Sequence, residues 1–328
     1  MPTHMPSVAA RSPEHIAQGV AVGRHNGPRC PLKKRTGSEN MCGTVRPILL
    51  TPGAVPFFNI LQSEETMEYQ NLLLDVSDAV AHVRLNRPDA MNSITVELAR
   101  DLMHAALRCD EDPAIRAVLL SGEGRTFCAG GDLKTFAGKE KDLPYYLKET
   151  TTYLHAAVSR FTRMDAPVVA AVHGSAAGAG MSLACACDYV VAAESARFTM
   201  AYTQAGLIPD GSSTYFLPRI VGLRRALELV LTNRMLSAAE AADWGIATKV
   251  VADDKLLDEA RQVAVKLAAG ATKALGTAKR LLHRGLTETL ETQMELETRA
   301  IADASRTEDA REGIAAFLGK RSPVFSGN

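Results

Sequence analysis

Two segments constrain the fold more than any other feature of this chain: "IRAVLLSG" (115–122) and "APVVAAVHG" (166–174), each continuously apolar and each ended by glycine. A strand that is apolar on both faces belongs inside a sheet covered from both sides, and the glycine marks where it stops. A helix is expected somewhere in 143–163, between them. Strand, helix and strand in that order make an α/β unit. Upstream, "AVAHVRLN" (79–86) alternates, with Ala79, Ala81, Val83 and Leu85 on one face, and a helical stretch follows from Thr95 to Arg108. Downstream, "SAAGAGMSLACACD" reads as small-residue helix and "YVVAAES" as strand. From Leu223 onward the pattern is almost wholly helical, with long segments around 256–285 and 288–318. An α/β core near 67–222 followed by helices is the expected organisation.

Charge narrows the function. Lys+Arg and Asp+Glu number 37 each over 328 residues, so no basic field recruits nucleic acid and small-molecule chemistry is the default. The cysteines (30, 42, 109, 128, 185, 187) form no CxxC pair and no zinc-spaced cluster, so no metal is expected. They read as reduced thiols of a cytoplasmic protein. No stretch approaches the roughly 20 apolar residues of a membrane span. Residues 1–66 are Pro-rich, turn-rich and basic, and lack the layout of a signal peptide. They read as a disordered extension, with Met67 as the natural start of the folded part; an organelle-targeting peptide and a start assigned too early are the alternatives.

Two glycine-rich loops leave the buried strands: "FCAGGD" (127–132) and "GSAAGAGMS" (174–182). Small residues let a ligand approach the main chain, and the second loop opens a helix whose first N–H groups lack internal partners. Phosphate, carboxylate or a developing oxyanion would suit such a place. A dinucleotide fingerprint fails, because the third glycine position falls on Leu183, and no Gly-Lys-Ser/Thr exists for a Walker loop. A serine-hydrolase elbow is approached by "GMSLA" (180–184), with Asp210 and His283 available to complete a triad, but Ala184 replaces its last glycine. One carboxylate, Asp210 in "GLIPDGSST" (206–214), stands among small and apolar residues, either as a turn former or as a proton carrier.

"LNRPDAMNS", "GEGRTFCAGGDL", "VHGSAAGAGMSLACACDYVVAAESARF", "GLIPDGSSTYFLPRIVG" and "LSAAEAADWGIATKVV" together resemble the enoyl-CoA hydratase/isomerase (crotonase) superfamily, in register and in order over roughly 67–325. The resemblance implies an α/β fold with a crotonase-like ββα spiral core over 67–265 and a C-terminal α-helical trimerisation region over 266–328. It implies a homotrimer or dimer of trimers acting on acyl-CoA thioesters, with no cofactor beyond the coenzyme A of the substrate. By motif position the thioester oxygen is received by the N–H groups of Ala129 and Ala179. Preorganised donors of this kind stabilise an enolate, at roughly 3–4 kcal/mol of barrier each.

The two glutamates of the family's hydratases are matched here by Ser182 and Tyr202, which argues against efficient hydration. Asp210 matches the single aspartate of the family's phenylacetate-pathway isomerases, which act on ring-epoxide and oxepin CoA thioesters and can move an enoyl double bond. One carboxylate suffices to move a proton between two carbons. The resemblance also implies that Arg87, Ala90 and Met91 lie along the pantetheine and adenine, that Ala129, Gly131, Asp132 and Leu133 form the adenine side of the pocket, and that Ser182 and Tyr202 face the acyl group. Arg87 is alternatively a solvated turn residue, and Tyr202 a packing residue. Lys273, Lys279 and Arg280 are candidates for the CoA phosphates. Cys185 and Cys187 are expected to be core thiols, His173 structural and Trp244 a packing residue. The alternatives to isomerase are an enoyl-CoA hydratase and a non-catalytic crotonase-fold protein binding acyl-CoA or RNA.

Overall fold

The computed structural model describes residues 69–328, so the reading of 1–66 lies outside the described residues. In chain order the elements are β1 (Leu72–Ser77), β2 (Val80–Leu85), α1 (Val96–Glu111), β3 (Ala117–Gly122), α2 (Leu133–Ala137), α3 (Leu143–Arg163), β4 (Val168–Val172), β5 (Ser175–Ala177), α4 (Ala179–Cys185), β6 (Tyr189–Ala193) and β7 (Arg197–Thr199). Then follow α5 (Ser213–Val221), α6 (Leu223–Thr232), β8 (Leu236–Ser237), α7 (Ala238–Asp243), β9 (Lys249–Val251), α8 (Leu256–Ala268), α9 (Thr272–Gly285), α10 (Leu290–Ala304) and α11 (Glu308–Leu318).

One sheet runs β1-β2-β3-β4-β6-β9 and a second runs β5-β7-β8. Only β1 and β2 pair antiparallel in the first, and β2 through β9 are parallel. The chain lays one strand in the large sheet, then a short one in the small sheet, then a helix. β4, β5 and α4 make one such turn, and β6, β7 and α5 the next. This is the expected ββα spiral.

The apolar runs behave as their composition demands. Val118, Leu120 and the whole of β4 have no exposed surface, because β3 and β4 have neighbours on both edges and helices over them. α8 packs on β3, β4 and β6. Thr95 caps α1 by accepting from the Leu98 N–H, and the buried stripe Leu98, Leu102, Ala105 and Cys109 of α1 faces α3.

Three strands depart from the sequence reading. Ser175–Ala177 is strand rather than helix, pairing with β7, and β8 and β9 interrupt the helical C-terminal part. The segments 256–285 and 288–318 each divide, near Gly270 and at Thr307, which caps α11. Among the described residues no helix is long and apolar enough to cross a membrane.

Candidate active site

The loop 127–132 is threaded between two neighbours. On one side Cys128 bridges to Ala176 of β5, and on the other Gly131 bridges in parallel to Ile94. A parallel bridge at Gly131 uses the flanking groups, here the Gly130 carbonyl accepting from Ile94 at 2.7 Å and the Asp132 N–H donating to the Ile94 carbonyl at 3.1 Å. The N–H of Gly131 itself therefore faces away from Ile94. Ala129 differs, because its N–H donates to the Met91 carbonyl at 3.0 Å. Ala129 lines the cavity described below, but its expected role as donor is corrected: that N–H is already engaged. Among the described residues, neither the Gly131 N–H nor that of Ala179, the first residue of α4, has a hydrogen-bond partner.

Glycine makes this approach possible. A Cβ on Gly130, whose φ is +94°, would stand 2.8 Å from the Ala177 carbonyl oxygen and 3.3 Å from the Ala179 nitrogen. A Cβ on Gly180 would stand 2.2 Å from the Cys128 carbonyl oxygen. The two loops thus meet main chain to main chain, and both free N–H groups belong to residues lining one cavity of about 290 Å³.

The cavity's walls are chiefly apolar, with Phe136, Leu147, Leu154, Leu207 and Ile208 among them. Tyr202 and Asp210 are its only titratable side chains among the described residues. Asp210 sits in a turn held by its backbone: its carbonyl accepts from the Ser213 N–H (3.1 Å) and hydroxyl (2.8 Å), and the next N–H, of Gly211, donates to His155 Nε2 at 3.2 Å. His155, on α3, was not singled out from the sequence; an isolated histidine in a helix carries no local signal of its partner.

The Asp210 side chain accepts from the Tyr202 hydroxyl, with 2.5 Å between that oxygen and Oδ1. Ser182 Oγ lies 3.0 Å from the same hydroxyl and 3.1 Å from the Gly178 carbonyl oxygen. Burial, then the charge of Asp210, push the Tyr202 phenol well above its ordinary pKa, so it stays protonated and donates. Ser182 is fully buried and does not line the cavity. Its expected place facing the acyl group is corrected: it stands behind Tyr202.

The residues expected along CoA divide. Leu133 lines the cavity and is exposed, and Met91 is exposed beside the loop. Ala90 sits in the short helical turn before Met91 and does not line the cavity. Arg87 and Asp132, by contrast, pair with each other at 3.0 Å, their side chains only 20% and 10% exposed. Arg87 also donates to the Ser93 carbonyl, and Asp132 accepts from the Ser93 hydroxyl and caps α2 through the Thr135 N–H. Both side chains are struts between the 87–93 turn and the glycine loop. Lys279 is likewise committed, to Asp188 at 2.8 Å and the Phe161 carbonyl at 2.7 Å, and Arg280 pairs with Asp165. Lys273 remains exposed, in a groove between α9 and α10.

The rival chemistries find no support in this geometry. Burial pushes the Cys128 and Cys185 thiols up to about 12, and Cys187 is pushed up as well, so none is a ready nucleophile. The Ser182 hydroxyl has the Tyr202 oxygen and the Gly178 carbonyl as alternative acceptors, and no histidine partner. His283 packs edge-on to Phe216, lining a separate cavity of about 670 Å³ among α3, α5 and α9. His173 bonds the Gly124 carbonyl, and Trp244 lies under Arg225 and Arg234.

The fold and the site define an α/β spiral protein with one cavity lined by Gly131 and Ala179, whose main-chain N–H groups are unpartnered, and by the carboxylate of Asp210. The family model for enoyl-CoA hydratase/isomerase matches residues 75–328. The chain belongs to that family. It is 41% identical over 260 residues to the 1,2-epoxyphenylacetyl-CoA isomerase of Escherichia coli (strain K12), covering 78% of this chain and 98% of the relative. It is 33% identical over 251 residues to 4-chlorobenzoyl coenzyme A dehalogenase-2 of an Arthrobacter species, covering 76% of this chain and 91% of the relative. The crystal structure of an enoyl-CoA hydratase from Polaromonas sp. JS666 superposes with a TM-score of 0.75 at 35% identity, covering 77% of this chain and 99% of the other. Three different reactions are named among these relatives, so family membership leaves the reaction to the side chains of the cavity.

Proposed function

We propose that the protein is an acyl-CoA isomerase that moves a double bond through a thioester enolate, with Asp210 as the proton shuttle. The substrate is a 3-enoyl-CoA converted to the 2-enoyl-CoA, or a ring-epoxide or oxepin CoA thioester. The carrying observation is that, among the described residues, one carboxylate lines a cavity that is also lined by Gly131 and Ala179, whose N–H groups are unpartnered. With a 3-enoyl thioester, Asp210 takes a proton from C2, the C–H electron pair enters the conjugated system, and the thioester oxygen carries the charge. The two N–H groups are the oxyanion hole for that oxygen. Return of the proton to C4 leaves the double bond between C2 and C3.

Hydration would need a second group to activate water. The other titratable side chain at the cavity is Tyr202, kept protonated by burial and by Asp210, which favours isomerisation. The reading includes a homotrimer or dimer of trimers in the cytoplasm, needing neither metal nor nucleic acid. Leu223, Leu227 and Leu231 form an exposed apolar stripe on α6 suited to such an interface.

The test follows conjugated 2-enoyl-CoA by ultraviolet absorbance, with wild type beside Asp210→Asn and hydration assayed in parallel. A loss of order 10²-fold or more in a folded Asp210→Asn is expected. Equal rates in both proteins would overturn the assignment.

A further inference from the structure

We infer that Tyr202 is a positioning residue that commits Asp210 to one oxygen, so that the proton taken from substrate is returned to it without exchange with water. This inference rests on the isomerase reading above.

The Asp210 backbone is held by Ser213 and His155 independently of its side chain, so the freedom left to the carboxylate is side-chain rotation. Tyr202 removes it by donating to Oδ1 across 2.5 Å. Oδ2, which accepts no such bond, is left as the more basic oxygen to receive a proton. The Tyr202 oxygen is itself fixed by Ser182, whose hydroxyl donates to it across 3.0 Å, the Tyr202 proton being engaged by Asp210. Ser182 stands on α4, the helix opened by Ala179, whose N–H is one of the two free donors. A chain of three side chains thus ties the base to the backbone segment that carries the oxyanion donor, and sets the position of one relative to the other. Reaction geometry of this kind matters on the scale of an ångström. A carboxylate confined to one rotamer among apolar walls delivers its proton to the second carbon faster than it meets solvent.

The experiment isomerises 3-hexenoyl-CoA in D₂O with wild type, Tyr202→Phe, Ser182→Ala and Asp210→Asn. It reads kcat, KM and deuterium per product molecule by mass spectrometry. Tyr202→Phe keeps the ring and removes only the hydroxyl. Its kcat is expected to fall roughly 10- to 100-fold with KM within about 3-fold, while deuterium per turnover rises toward one atom. Ser182→Ala moves the same quantities in the same direction by less, and supplies the reading if Tyr202→Phe proves unstable. Packing damage alone would lower the rate without raising the deuterium content. Unchanged deuterium content in both hydroxyl variants, with Asp210→Asn inactive, would overturn the role of Tyr202 and leave Asp210 as the base. An active Asp210→Asn would instead overturn the isomerase reading on which the inference stands.

Discussion

The Arg87 guanidinium lies 3.0 Å from the Asp132 carboxylate, joining residues 45 apart in sequence. A pair this sheltered works within the protein rather than on a ligand's phosphate. Arg87→Ala should therefore weaken CoA and dephospho-CoA thioesters by the same factor, measured as KM for both. It should also destabilise the fold by about 1–3 kcal/mol, read from urea unfolding, because Asp132 loses a charged partner. A selective loss for the phosphorylated thioester would instead make Arg87 a phosphate ligand.

Acid should loosen the same junction. Burial raises the Asp132 pKa, but the Thr135 N–H, Arg87 and Ser93 outweigh it and hold the carboxyl below its ordinary value. A carboxyl depressed in the folded state stabilises above its unfolded pKa of about 3.9, and that stabilisation disappears as pH falls through the folded value. The stability gap between wild type and Asp132→Asn should thus be full above roughly pH 5 and shrink as pH falls below about 4. Parallel unfolding curves across that range would refute it.

Gly130→Ala should injure rate and stability together. Its φ of +94° disfavours any side chain, and the added Cβ would press on the Ala177 carbonyl oxygen at 2.8 Å and the Ala179 nitrogen at 3.3 Å. A loss of about 1–3 kcal/mol and a fall in kcat of order 10-fold or more are expected, the second because Ala179 carries a proposed oxyanion donor. Full activity with a lowered Tm would separate Gly130 from the chemistry.

The large sheet was legible because β3 and β4 are buried on both faces, which forces unbroken apolar runs whatever else the chain does. β5, β8 and β9 were not, being two or three residues long, too short to show a period. The engagement of the Ala129 N–H was not foreseen, because which N–H of the loop is left free is decided by the partner segment 91–94, and no local pattern reveals that register. Arg87 in a turn looks solvated until a carboxylate far along the chain folds onto it. Asp210 was legible for the opposite reason, as an isolated acid among small and apolar residues, although its clasp by Tyr202 and His155 emerges only in three dimensions.

The turn around Asp210 owes its shape to its own carbonyl, to the N–H of Gly211, to Ser213 and to His155, none of which asks what side chain stands at 210. Folding and the proposed chemistry are thus written in different atoms of one residue. A single codon change there can erase or replace the proposed proton shuttle while the scaffold folds as before, which makes this turn a place where a lineage can exchange one reaction for another without first rebuilding the protein.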